Sequence, residues 1–172
     1  FGFGLGYGTG KPSLSHLRPK AQDGGSSNLR FGYAIDPTTV VGVEMSQWGA
    51  EPDSQKWTFR GTMPSMTWYD IKYLPRGSFL RAGVGYGKLK THVTSITQVY
   101  DPNLPPFGGM VLDTTTYQIN DDGFAMLGAV GYEWRWRKHW AFAPQAEYMY
   151  ITTGEGVSAY VASLSLQVNL YW

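Results

Sequence analysis

Large apolar residues alternate with small or polar ones along almost the whole chain, a period of two that predicts extended strands with unlike faces. Eight such runs are separated by turn chemistry. The first, Phe1 to Gly8, sets Phe1, Phe3, Leu5 and Tyr7 on one face and a glycine at every other step. A polar stretch, Thr9 to Ser27, leads to the second, in which Leu29, Phe31, Tyr33 and Ile35 oppose Asn28, Arg30, Gly32 and Ala34. It stops at Asp36-Pro37-Thr38-Thr39, where Asp can bond its own backbone and Pro presets φ. The third, Val40 to Trp48, carries Val41, Val43 and Met45 against Gly42, Glu44 and Ser46. For the fourth, Trp57 to Tyr73, the pattern predicts Trp57, Phe59, Met63, Tyr69, Ile71 and Tyr73 on one face and Arg60, Trp68, Asp70 and Lys72 on the other.

After the turn Leu74-Pro75-Arg76-Gly77, the fifth run displays Leu80, Ala82, Val84 and Tyr86 opposite Arg81, Gly83, Gly85 and Gly87. Residues 88–122 contain two β-prone stretches, His92 to Tyr100 and Met110 to Ile119, around Asp101-Pro-Asn-Leu-Pro-Pro-Phe-Gly-Gly109. That arrangement predicts an extended hairpin continuing strands five and six. The sixth run carries Phe124, Met126, Val130, Tyr132, Trp134 and Trp136 against Ala125, Leu127, Ala129, Gly131, Glu133 and Arg135. The seventh has Trp140, Phe142, Ala146, Tyr148 and Tyr150 against Gln145 and Glu147. The eighth, Ser158 to Trp172, sets Tyr160, Ala162, Leu164, Leu166, Val168, Leu170 and Trp172 against Ser163, Ser165, Gln167 and Asn169. Short connections follow strands two, four and six and longer ones follow the odd strands, the habit of an antiparallel barrel in a membrane.

Composition decides which face is inside. Aromatics are abundant (Trp 7, Tyr 12, Phe 8), glycines number 22, and charged residues fall to 16% against a usual ~25%. So large an aromatic face suits lipid better than water, with Trp and Tyr near strand ends, Trp57 and Tyr73 included, as interfacial girdles. The opposite face collects Arg30, Glu44, Arg60, Asp70, Lys72, Arg81, Glu133, Arg135 and Glu147, and these are expected to neutralise one another in a narrow lumen. The longest charge-free stretch, Gly156 to Trp172, is 17 residues and is broken by polar side chains, so no helix of membrane-spanning length is expected. The absence of cysteine removes disulfides and thiolate chemistry, and a net charge of +1 lacks the basic footprint of a nucleic-acid binder.

On these eight runs, the Gly-aromatic opening and above all the final alternation Leu164, Leu166, Val168, Leu170 up to Trp172, the chain resembles the small eight-stranded outer-membrane β-barrels of Gram-negative bacteria, of the OmpX and OmpA-barrel type. The resemblance covers all 172 residues as a single domain. It implies an all-β, up-and-down transmembrane barrel in the bacterial outer membrane, among lipids that include lipopolysaccharide, with a C-terminal strand read by the barrel-assembly machinery.

Chemistry is sparse on the residues. Some barrels resembling this one modify lipid A, which would need a nucleophile, a His and an acid. The groups that could serve are His16 with Ser13, Ser15 and Asp23, and His92 with Ser95 and Asp101; neither forms a family motif, so no catalytic role is assigned and no enzyme is expected. His139 reads as a solvated turn residue. Gly2, Gly4, Gly6 and Gly8 alternate strictly with no following helix, unlike a phosphate cradle. The acid pairs Glu51/Asp53 and Asp121/Asp122 lack a full set of oxygen ligands, so neither a metal nor a cofactor is expected. An eight-stranded lumen is filled by its own side chains, which speaks against a diffusion pore. Function is therefore expected at the extracellular loops, in a structural or binding role. The binding residues expected are Leu104, Phe107 and Met110 at the hairpin tip, for a protein partner or a second copy, and Lys88 and Lys90 at the height of lipid phosphates. A lipid A-modifying enzyme and a small-molecule transport barrel are the alternatives.

Overall fold

The computed structural model describes residues 1–13, 21–51, 55–69, 77–101, 109–154 and 157–172, with the backbone alone for 55, 92–101, 109–117 and 119. Its strands are β1 (Gly2–Ser13), β2 (Gln22–Asp36), β3 (Thr39–Ala50), β4 (Gln55–Tyr69), β5 (Ser78–Asp101), β6 (Gly109–Tyr132), β7 (Trp134–Arg137), β8 (Trp140–Thr153) and β9 (Ser158–Leu170). They form one antiparallel sheet in which each strand except the pair β6 and β7 pairs with its neighbour in sequence, β1 pairs with β9, and β6 pairs with β8 to close the wall. β6 and β7 are two pieces of one wall strand, parted at Glu133, whose amide donates to the Gly77 carbonyl at 2.7 Å. The result is an eight-stranded up-and-down barrel, as the alternation predicts.

Following paired residues around the wall from Phe3 through Leu29, Met45, Thr62, Tyr86, Phe124, Thr152 and Ser158 leads back to β1 at Ser13, ten residues beyond the start. A stagger of that size over eight strands goes with a tilt of roughly 40°. Both chain ends lie at the end of the short turns. Part of the expected first loop is wall: β1 continues to Ser13 and β2 begins at Gln22, so both ends of the polar stretch pair as strand. The hairpin of β5 and β6 is paired as far as Asp101 opposite Gly109, so both strands run to 24 residues.

Outward positions carry the apolar faces expected for β1, β2, β3, β5, β6, β8 and β9, with Leu5, Tyr33, Trp134 and Leu164 among the most exposed. Exposed aromatics gather in two rings. Tyr33, Trp68, Tyr132, Trp134, Trp136 and Trp140 stand at the short-turn end, and Tyr7, Tyr86, Phe124, Tyr148 and Tyr160 stand towards the other.

The expectation fails on β4. Trp57, Phe59 and Met63 point into the barrel and are buried, whereas Arg60 points out and is exposed. The reason lies in the lumen, which has two zones. Towards the short turns it is polar, around Arg30, Glu44, Arg81, Gln145, Glu147, Gln167 and Asn169. Towards the long hairpin it is a dry plug of Trp48, Trp57, Phe59, Met63, Leu89, Leu127, Met149 and Ile151, with Trp48 stacked on Phe59 at 5.0 Å between ring centroids. Burial of apolar area is as favourable inside this zone as in lipid, so hydrophobicity alone cannot orient β4. Trp57 is accordingly a plug residue and not a girdle residue. Arg135 also departs from the interior reading: its side chain is 69% exposed at the barrel mouth. Asp70, Ile71, Lys72 and Tyr73 lie outside the described residues.

Candidate functional site

Charges in the polar zone are held by position-specific partners. Arg81 on β5 places Nε 3.0 Å from Glu44 Oε2 on β3 and donates from Nη2 to Gln145 Oε1 on β8 at 2.9 Å and to Glu147 Oε2 at 3.5 Å, and from Nη1 to Gln167 Oε1 on β9 at 3.2 Å. Glu147 also accepts from Asn28 at 3.3 Å and from Ser46 at 3.3 Å. Arg30 donates to Thr67 at 3.0 Å and Asn169 at 3.3 Å. Nearer the mouth, Glu133 accepts from Asn169 at 2.9 Å, from Tyr171 at 2.5 Å and from Tyr69 at 3.1 Å, and pairs with Arg135 at 3.3 Å. Contributions from both sides of the barrel cross the lumen, so these groups brace opposite walls. Small inner residues make room: a Cβ on Gly4 would fall 2.5 Å from Asn28 Oδ1, and one on Gly8 2.3 Å from the Ala162 carbonyl oxygen.

Of the residues expected to bind, Lys88 lies on the outer face of β5, paired with Asp122 at 3.3 Å, and Lys90 lies one outward step beyond it, half-buried. Asp122 also accepts from the Tyr86 hydroxyl. Met110 is in β6, where only the backbone is described, and Leu104 and Phe107 lie outside the described residues. The two histidine groups are not brought together among the described residues: His16 and Ser15 lie outside them, and His92, Ser95 and Asp101 are backbone only. Asp23 accepts from Thr9 at 2.5 Å across the β1–β2 ladder. Nδ1 of His139 lies 2.8 Å from the Tyr171 carbonyl oxygen on an exposed turn. Asp121 and Asp122 are consecutive strand residues and so point to opposite faces, while Glu51 pairs with Lys56; Asp53 lies outside the described residues. No cluster of three metal-ligating side chains occurs among the described residues.

Sequence reasoning misses Arg60. Its cross-strand partners are Gln47 on β3 and Lys88 on β5, which places it with Lys88, Lys90 and Asp122 on the outer wall. The signal available was parity: Gly61, Ser65 and Thr67 are the small and polar positions of β4, and they share a face with Trp57, Phe59 and Met63. Two grooves mark the outer wall. One of about 880 Å³ runs between Tyr7, Tyr148 and Trp68 over Ala82, Gly128, Ala146 and Ala162. Another of about 420 Å³ lies beside Arg60 over Phe3, Leu29 and Met45.

No protein-family model matches the sequence, and no curated protein matches it. Solved structures do. The chain is similar over 99% of its length to Ail, the attachment invasion locus protein of Yersinia pestis, covering 97% of that chain with a TM-score of 0.65 at 11% identity. It is similar over 99% of its length to the same protein in complex with the heparin analogue sucrose octasulfate, covering 97% of that chain with a TM-score of 0.62 at 12% identity. It is similar over 98% of its length to Neisserial surface protein A, covering 96% of that chain, with a TM-score of 0.54 and 14% identity. The closed wall, its apolar exterior and its paired aromatic rings thus have the architecture of the small outer-membrane β-barrels of Gram-negative bacteria.

Proposed function

We propose that this is a non-enzymatic barrel of the bacterial outer membrane that binds a partner at its long-hairpin end. The observation that carries the reading is the filled lumen. A plug of Trp48, Phe59, Met63, Leu89, Met149 and Ile151 lies over the braced Arg81 layer, and a packed interior of this kind holds shape without offering a path. Function then falls to what the scaffold displays, and the largest display is the β5–β6 hairpin. A two-stranded ribbon projecting alone is only marginally stable in water, which favours a partner that covers it, with Leu104, Phe107 and Met110 in the contact. That Ail was solved with a bound sulfated sugar supports a ligand-carrying role for a barrel of this shape. β9, the alternating strand that precedes Trp172, serves recognition by the barrel-assembly machinery, and lipopolysaccharide is the lipid neighbour.

Register supplies the test. Thr94 is opposite Thr116, so residues 95–115 can be replaced by Asn-Gly, a pair suited to a two-residue hairpin turn. The shortened barrel should still assemble in the outer membrane and lose capture of the partner that co-purifies with the full chain in mild detergent. Retained capture would refute the loop-end reading. Substituting His92→Ala should leave the lipid A of the host membrane chemically unchanged; an altered lipid A profile dependent on His92 would restore the enzyme alternative.

A further inference from the structure

Outward residues Ser27, Gln47, Arg60, Lys88 and Asp122 form one row in register across β2 to β6. It lies one outward step towards the long hairpin from the row of Thr62, Tyr86 and Phe124, so it stands at the edge of the upper aromatic ring. The row that carries Tyr86 and Phe124 on β5 and β6 continues as Thr62, Met45 and Leu29 on β4, β3 and β2, so the aromatic ring is interrupted on those three strands among the described residues. Arg60 is exposed there, and no side chain among the described residues pairs with it. A guanidinium at the edge of hydrocarbon reaches towards the headgroups, where an anion can meet it. Its neighbour Lys88 shares Asp122 with Lys90, so three cations are set against one carboxylate.

Directly below this cationic patch lies the 420 Å³ groove, with Gln47 and Thr62 at its upper lip and Phe3, Leu29 and Met45 along its floor. An anion-seeking head above an apolar trough matches an amphiphile lying along the wall. The geometry points to a seat for one phosphate-bearing, acylated lipid of the outer leaflet, its phosphate on Arg60 and Lys88 and an acyl chain over Phe3, Leu29 and Met45. Phosphate suits the pair because a guanidinium binds it through two parallel N–H donors and an ammonium adds a point charge. A second copy fits less well, since a two-fold contact sets a patch against itself and would oppose cation to cation. The inference rests on the membrane placement proposed above and makes the lipid neighbour a bound one; it is independent of the hairpin partner.

The test uses the full chain in detergent micelles, titrated with diphosphoryl lipid A or with phosphatidylcholine and followed by native mass spectrometry. Folding of each variant is checked first by the mobility difference between unheated and heated samples. One lipid A should be retained per barrel in preference to phosphatidylcholine. The double variant Arg60→Gln/Lys88→Gln should bind it at least tenfold more weakly, Arg60→Lys, which keeps the charge and loses the two parallel donors, should fall between that variant and the unmodified barrel, and Met45→Trp, which fills the trough, should weaken it with all cations present. Lys56→Gln, at the rim beside Glu51, should change nothing. Undiminished binding by the folded Arg60→Gln/Lys88→Gln barrel, or full displacement by inorganic pyrophosphate, would overturn the seat. A folded barrel with no preference for lipid A would overturn the seat alone, whereas a chain monodisperse in water without detergent would overturn the membrane placement along with it.

Discussion

Arg81 meets Glu44, Glu147, Gln145 and Gln167 from three strands, whereas Glu133 shares its charge with a largely exposed Arg135 and three neutral donors. The two sites should therefore respond differently to truncation. Arg81→Ala leaves two buried carboxylates without their cation and should destabilise by about 3–5 kcal/mol. Glu133→Ala leaves donors that water at the mouth can reach, with a loss of about 1–3 kcal/mol. Urea unfolding midpoints in the same lipid distinguish the two, and equal losses would show that water relieves the mouth no better than the interior. Replacing Glu147 by Gln in the Arg81→Ala background should recover part of the loss, because one orphaned charge disappears. The inner charges Arg30, Glu44, Arg81, Glu133 and Glu147 were legible as polar interruptions of apolar runs. Arg60 was not, because a charge reports burial only when its strand's other face is unambiguously outward.

For individual strands, legibility depended on contrast. β9 alternates Leu and Val with Ser, Gln and Asn, so either environment assigns its faces. β4 carries Trp57, Phe59 and Met63 on one side and Pro64, Met66 and Trp68 near the other, and the contrast is lost where the lumen itself is apolar. Turn chemistry was read more securely. Asp36 Oδ1 accepts from the Thr38 amide at 2.7 Å and from the Thr38 hydroxyl at 2.8 Å, and these bonds, the hydroxyl first, hold its carboxyl below the usual carboxylate range. A depressed folded value contributes stability above the unfolded pKa that is lost as pH falls through the folded one. Wild type should thus unfold at a higher temperature than Asp36→Ala near neutrality, and the difference should shrink on acidification below the ordinary carboxylate pKa. A gap that persists unchanged into strong acid would mean that the turn does not depend on the ionised carboxyl. On β1 the inner glycines are needed for close approach: Gly8→Val would press a side chain against the Ala162 carbonyl. That variant should lose the folded band in unheated samples, while Thr9→Val, on the outer face, should keep it.

For the whole barrel, eight strands, antiparallel order and an outward apolar surface were all readable from alternation and turn spacing. Partition of the lumen was not, since it arises only when residues distant in sequence, such as Trp48, Phe59 and Ile151, converge. The plug predicts that planar bilayers containing the protein show no conductance steps under voltage, and steps in the unmodified barrel would contradict the filled interior. The bare inner face of β1 bears on girth. If β1 slipped by two residues against β9, its glycines would still face inwards and Phe3, Leu5 and Tyr7 would still face lipid, so alternation cannot forbid the slip. The stagger would then become eight or twelve instead of ten, and the cylinder would narrow or widen. What distinguishes these closures is the cargo of side chains on the other seven walls: Trp48, Phe59 and the Arg81 cluster fill one bore and no other. The contents of the barrel therefore act as its gauge, selecting the diameter at which the seam can shut.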